Sequence, residues 1–118
     1  MSHSAFYGRI YTGDVEVATR VLEKWITPEQ LRTKIRISGE EIEYDDGRLS
    51  FYCHTAAGSQ GGTPNYLLEG QTSGSLDEIK EALQRLLEIC REIDVTATFE
   101  YVEVSEDGEE LSEEFSIR

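Results

Sequence analysis

Residues 75–94 read Ser75-Leu-Asp-Glu-Ile-Lys-Glu-Ala-Leu-Gln-Arg-Leu-Leu-Glu-Ile-Cys-Arg-Glu-Ile-Asp94. Ser75 with Glu78 three residues on is a capping box, in which each side chain satisfies a backbone N–H at the start of a helix. Ile79, Leu83, Leu86, Leu87, Cys90 and Ile93 then recur at helical spacing and form one apolar stripe. The segment is therefore a helix with one face committed to a core. Everything around it reads as strand and turn, with one exception nearer the N-terminus.

That exception is Val15–Ile26, where Ala18, Val21, Leu22, Trp25 and Ile26 form a second helical stripe behind Asp14, a good N-cap. Thr27-Pro28-Glu29-Gln30 repeats the capping-box pattern with proline at a first helical position, so a short helical turn is expected there. Ahead of this helix, Ala5–Thr12 carries strand-favouring Phe6, Tyr7, Ile10 and Tyr11. Between the helices, Lys34–Tyr44 has apolar residues at 35 and 37, then at 42 and 44. The phase changes across Ser38-Gly39, as a β-bulge would make it do. The alternative is a turn at Ser38–Glu41 that splits the segment into two short strands. Asp45-Asp46-Gly47-Arg48 is a hairpin turn. Folding about it sets Tyr44 opposite Leu49 and Ile42 opposite Phe51, with Cys53 on the same face. Ala56–Asn65 is a loop, Tyr66–Gln71 a short strand, and Thr96–Val104 and Glu110–Ile117 two strands joined at Glu106-Asp107-Gly108.

The expected architecture is a single α+β domain over residues 1–118. It is a two-layer sandwich with a mainly antiparallel sheet of about five or six strands and two main helices on one face. The order of elements is ferredoxin-like, with added hairpin strands. Element order does not name a function.

The chain has 118 residues, 24 acids, 11 Lys or Arg and a net charge of −13. That balance speaks against direct nucleic-acid binding and against a polybasic membrane patch. No apolar run is long enough to cross a bilayer, and Met1–Ser4 has no basic region followed by an apolar stretch. A cytoplasmic location is the expectation. Cys53 and Cys90 fit no zinc or redox spacing and fall on core-facing positions. They read as buried thiols.

No catalytic constellation stands out. Cys53 and His54 are neighbours on a strand, so they point to opposite faces and cannot pair with each other. Gly58-Ser59-Gln60-Gly61-Gly62-Thr63 is rich in glycine but has no lysine and joins two strands, which is not how a P-loop is built. It is retained as a candidate ligand loop, because loops carry function. Glu103-x-Ser105-x-Asp107-Gly108-x5-Glu114 shadows a calcium-loop spacing. Glutamate stands first in it, however, and strands flank it instead of helices. No cofactor is called for, and the balance is against an enzyme.

Charge placement is the feature that rises above background. From Glu92 to Ile117 there are ten acids and no Lys or Arg, which makes −10 of the −13. The plain account of such a run is a solvated, solubilising face. The functional account is a surface for a basic protein partner, whose nucleic-acid groove would be an obvious target. Glu100, Glu103, Glu106, Asp107, Glu109, Glu110, Glu113 and Glu114 are the candidate contact residues, with Phe99, Tyr101 and Phe115 as aromatic anchors. This makes the chain a non-enzymatic inhibitor, immunity or antitoxin-like protein. The second reading is a small-molecule-binding or regulatory domain, homodimeric through its sheet, with a site near residues 56–65.

Overall fold

A computed structural model describes residues 3–26, 28–36, 39–56 and 65–117. Among them the chain forms β1 (His3–Ile10), α1 (Val15–Trp25), a 3-10 turn (Pro28–Gln30), β2 (Leu31–Arg36), β3 (Gly39–Asp45), β4 (Leu49–Ala56), β5 (Asn65–Thr72), α2 (Leu76–Glu92), β6 (Ala97–Val104) and β7 (Phe115–Ile117). The strands build one seven-stranded antiparallel sheet in the order β2-β3-β4-β5-β1-β6-β7. No described helix is long and apolar enough to cross a membrane.

Both helices start where their caps demand. Asp14 Oδ1 accepts from the Glu16 N–H at 2.9 Å, and Ser75 Oγ accepts from the Glu78 N–H at 3.3 Å. Their stripes join Phe6, Ile10, Tyr44, Phe51, Cys53, Tyr66, Leu68, Phe99 and Tyr101 in one hydrophobic cluster. Trp25 of α1 is its hinge point. It packs against the rings of Phe6 and Phe51 and donates Nε1–H to the Ala82 carbonyl of α2 at 2.8 Å. Two glycines let the sheet take these large rings. A Cβ on Gly70 would lie 2.4 Å from Phe6 Cζ and 2.5 Å from the Ser50 carbonyl oxygen, and one on Gly8 would lie 2.2 Å from the Thr98 carbonyl oxygen.

The sheet has more strands than the five or six expected. The phase change near Gly39 is not a bulge in one strand: β2 and β3 are separate, with Arg36 paired to Gly39 and Leu31 to Tyr44. Paired residues in this hairpin have numbers that sum to an odd value, so odd positions on one strand must meet even positions on the next. A change of phase is what such a hairpin requires. Residues 37 and 38, and Thr27 of the second capping box, lie outside the described residues.

The next hairpin turns where expected but pairs two residues further on. Tyr44 faces Phe51 and Ile42 faces Cys53. A shift of two keeps every side chain on its face, which is why the core assignment survives. The cause lies in the turn. Asp45 Oδ1 accepts from the Gly47 N–H, Asp46 Oδ1 accepts from the Arg48 and Leu49 N–H groups, and Gly47 takes φ +88°. These bonds use Asp46 to Leu49 as the loop, so pairing resumes at Asp45 and Ser50.

The last strand is shorter than Glu110–Ile117. Glu110 makes a lone bridge with Val104, and regular pairing returns only at Phe115 opposite Tyr101. Between them Ser112 Oγ accepts from the Glu103 N–H at 3.0 Å, a side chain standing in for a strand bond. Glu113 is thus off the strand, and Leu111 is 60% exposed and not on a shared face with Phe115 and Ile117.

Candidate functional site: an acidic turn beside the outer sheet face

Strand alternation divides the sheet into a core face and an outer face. The acidic segment meets the outer face at β6. Its turn is held by its own backbone: Ser105 N–H donates to the Glu109 carbonyl at 2.8 Å, Gly108 N–H to the Ser105 carbonyl at 2.9 Å, and Glu109 N–H to Ser105 Oγ at 3.1 Å. Gly108 takes φ +88°, a conformation that suits glycine. Glu106, Asp107, Glu109 and Glu110 project from this fixed turn and are exposed. Among the described residues no Lys or Arg is ion-paired with them, and the Arg48–Glu78 ion pair lies elsewhere.

The other expected contact residues divide. Glu113 is exposed. Glu103 is half-buried on the core side of β6. Glu114 accepts a hydrogen bond from the Tyr7 hydroxyl of β1. To do so it crosses over β6, because Phe115 beside it pairs with Tyr101 of that strand. Glu100 stands on the outer face, opposite Tyr7. The eight carboxylates are therefore not one cluster. Five surround the turn or follow it, two lie against the outer face, and Glu103 is apart.

The aromatic anchors are corrected outright. Phe99 is 0% and Tyr101 6% exposed, and both belong to the core. Phe115 stacks on Tyr101 at 5.2 Å between ring centroids. Because they alternate with Thr98, Glu100 and Val102, strand geometry sends them inward while Glu100 goes outward. The apolar side chain that the acidic segment does present is Leu111.

The register also composes a line of side chains that no stretch of sequence displays. Arg32 pairs with Glu43, Glu43 with Tyr52, Tyr52 with Glu69, Glu69 with Tyr7, and Tyr7 with Glu100. The row crosses six strands on the outer face, with glutamates alternating with tyrosines. Two depressions flank it, one on each side. One of about 620 Å³ is lined by Arg32, Glu43, Tyr52 and Glu69, among others, and the second, of about 510 Å³, by Tyr7, Arg9, Glu69 and Glu100. They adjoin at Glu69. The sequence hint was the polar phase of each strand, but only long-range pairing aligns those phases.

Of the remaining candidates, residues 58–63 lie outside the described residues. The larger depression is at the far end of β4 and β5 from that loop, near Ser50 and Gln71 instead of Ala56 and Asn65. Burial pushes the Cys53 thiol up to about 12 and the Cys90 thiol up to about 11. Neither supplies a thiolate near neutral pH. His54 stands on the outer face against the Tyr52 ring, 4.9 Å between centroids. Among the described residues no group of three His, Cys, Asp or Glu side chains converges as a metal site would.

No model of a known protein family matches the chain, and no curated protein matches it in sequence.

Proposed function

We propose that this chain is a non-enzymatic acidic binding protein that occludes a basic surface on a protein partner. The observation that carries the reading is the turn at residues 105–109. It holds Glu106, Asp107 and Glu109 exposed on a backbone fixed by three hydrogen bonds, without a described basic neighbour. A fixed array of like charges repels itself and gains free energy only when a counter-charge arrives. Such a field steers a cationic protein into contact, and Leu111 beside it offers apolar area. An inhibitor, immunity or antitoxin-like role follows if the covered surface is the partner's working one. A cytoplasmic setting fits the reduced thiols.

The architecture is read in the same spirit as two-layered and ferredoxin-like. The strands β4-β5-β1-β6 with α1 and α2 would be the basic unit, and β2–β3 and β7 the additions.

The test is affinity capture from lysate of the source organism with two baits, the native chain and Glu106→Lys/Asp107→Lys/Glu109→Lys. The expected result is a basic protein held by the native bait at low salt and lost from the variant. Equal capture by both baits, or no basic protein on either, overturns the reading.

A further inference from the structure

From the row Glu43–Tyr52–Glu69–Tyr7–Glu100 we infer that the outer sheet face is a cradle for a lysine- or arginine-bearing helix of the partner, laid across the strands. The inference rests on the proposed function and names the segment that would be gripped.

The spacing selects the occupant. Neighbouring strands are about 4.8 Å apart, so successive glutamates of the row recur every about 10 Å. An α-helix rises about 1.5 Å per residue, so side chains seven apart recur every about 10.5 Å on one face. Basic residues at i and i+7 would meet the Glu69 and Glu100 carboxylates. An extended segment fits poorly, because residues about 10 Å apart on it are three apart and face opposite ways. Between the glutamates stand Tyr52 and Tyr7, both half-buried, whose rings suit the stems and charges of Lys or Arg at the intervening i+3 and i+4 positions.

The surroundings agree with this occupant. The two depressions flank the row on opposite sides, the larger toward Ser50 and Gln71 and the second toward Arg9 and Leu67, and they meet at Glu69. Glu114, bonded to Tyr7, brings a further carboxylate to the Glu100 end and joins the cradle to the acidic segment. At the other end Arg32 closes the row with the opposite sign. That sets direction: the helix C-terminus, which carries partial negative charge, lies toward Arg32, and the N-terminus toward Glu100. In this arrangement the turn at 105–109 steers and the row grips.

The test uses the full chain and two synthetic helical peptides of identical composition, one with lysines at every seventh position and one with them scrambled. Binding is read by fluorescence anisotropy. The proposal expects the phased peptide to bind at least about tenfold tighter than the scrambled one. Glu69→Gln/Glu100→Gln should weaken it about tenfold, while Glu106→Gln/Glu109→Gln, an equal loss of charge, should weaken it less than about threefold. Amide shifts on peptide addition provide a readout that needs no variant, and should centre on residues 7, 52, 69 and 100. Equal binding of the two peptides, equal loss in the two variants, shifts centred on 105–110, or no binding of the phased peptide overturns the cradle. None of these decides the lysate capture, so the two readings fail separately.

Discussion

The Tyr7 hydroxyl donates to the Glu114 carboxylate across 107 residues of sequence, tying the interior strand β1 to the acidic segment over the top of β6. Both groups are accessible, so the bond is modest in energy but specific in place. Tyr7→Phe should leave the fold intact and cost no more than about 1 kcal/mol in a thermal or urea melt. Amide exchange should quicken at residues 109–114 and nowhere else. Unchanged exchange in that segment would show that the bond does not hold it.

Asp46 organises the β3–β4 turn with one carboxylate. Burial alone would raise its pKa, but the Leu49 N–H, the Tyr44 hydroxyl and the Arg48 N–H and charge together hold it below the ordinary 3.8. The folded state thus prefers the ion. Its contribution is complete above about pH 4 and is lost as pH falls through and below that value. Asp46→Ala should lower stability by about 1–2 kcal/mol at neutral pH, and the gap between variant and native protein should narrow below about pH 3. Urea melts at two pH values check this. A gap that widens in acid would contradict it.

The helices, the β3–β4 turn and both buried cysteines are legible in the sequence because their determinants are local. Ser75 with Glu78, Asp14 with Glu16, and Asp46 with Gly47 each act within four residues. The β2–β3 hairpin was harder because a phase change at Ser38-Gly39 is produced equally by one extra residue or by a reversal of direction, and alternation alone does not separate them. The last strand deceived for another reason. Leu111, Phe115 and Ile117 keep strand phase, but Ser112 takes the place of the ladder and leaves Leu111 in solvent. The Glu–Tyr row is a product of five registers at once, so only the folded sheet assembles it.

Gly70 lies where β5 passes between Phe6 and Phe51. A methyl there would stand 2.4 Å from Phe6 Cζ and 2.8 Å from Phe51 Cβ, with the Ser50 carbonyl oxygen at 2.5 Å. The backbone oxygen cannot rotate away as a side chain could. Gly70→Ala should destabilise by about 1–3 kcal/mol through overpacking. A chemical denaturation series checks it, and a neutral substitution would mean that β5 has room the packing does not show.

Cys53 and Cys90 are held as neutral thiols by burial, at about 12 and about 11 against an ordinary 9.0. A raised value in the folded state means stability is whole below about pH 9 and declines as pH rises from there toward 11. A thiol reagent at mildly alkaline pH should label neither cysteine while the chain is folded, and both at the rate of unfolding. Rapid labelling of either would show that its site opens locally.

The central claim is electrostatic capture of a basic protein, and its most direct measurement is the association rate of the captured partner with the native chain as salt rises. Steered association is fast at low salt and slows as the Debye length shrinks from about 30 Å at 0.01 M to about 8 Å at 0.15 M. The account predicts that the rate falls at least about tenfold over that range, and that Glu106→Lys/Asp107→Lys/Glu109→Lys removes most of the dependence. A rate indifferent to salt, or a variant that associates as fast as the native chain, would contradict it.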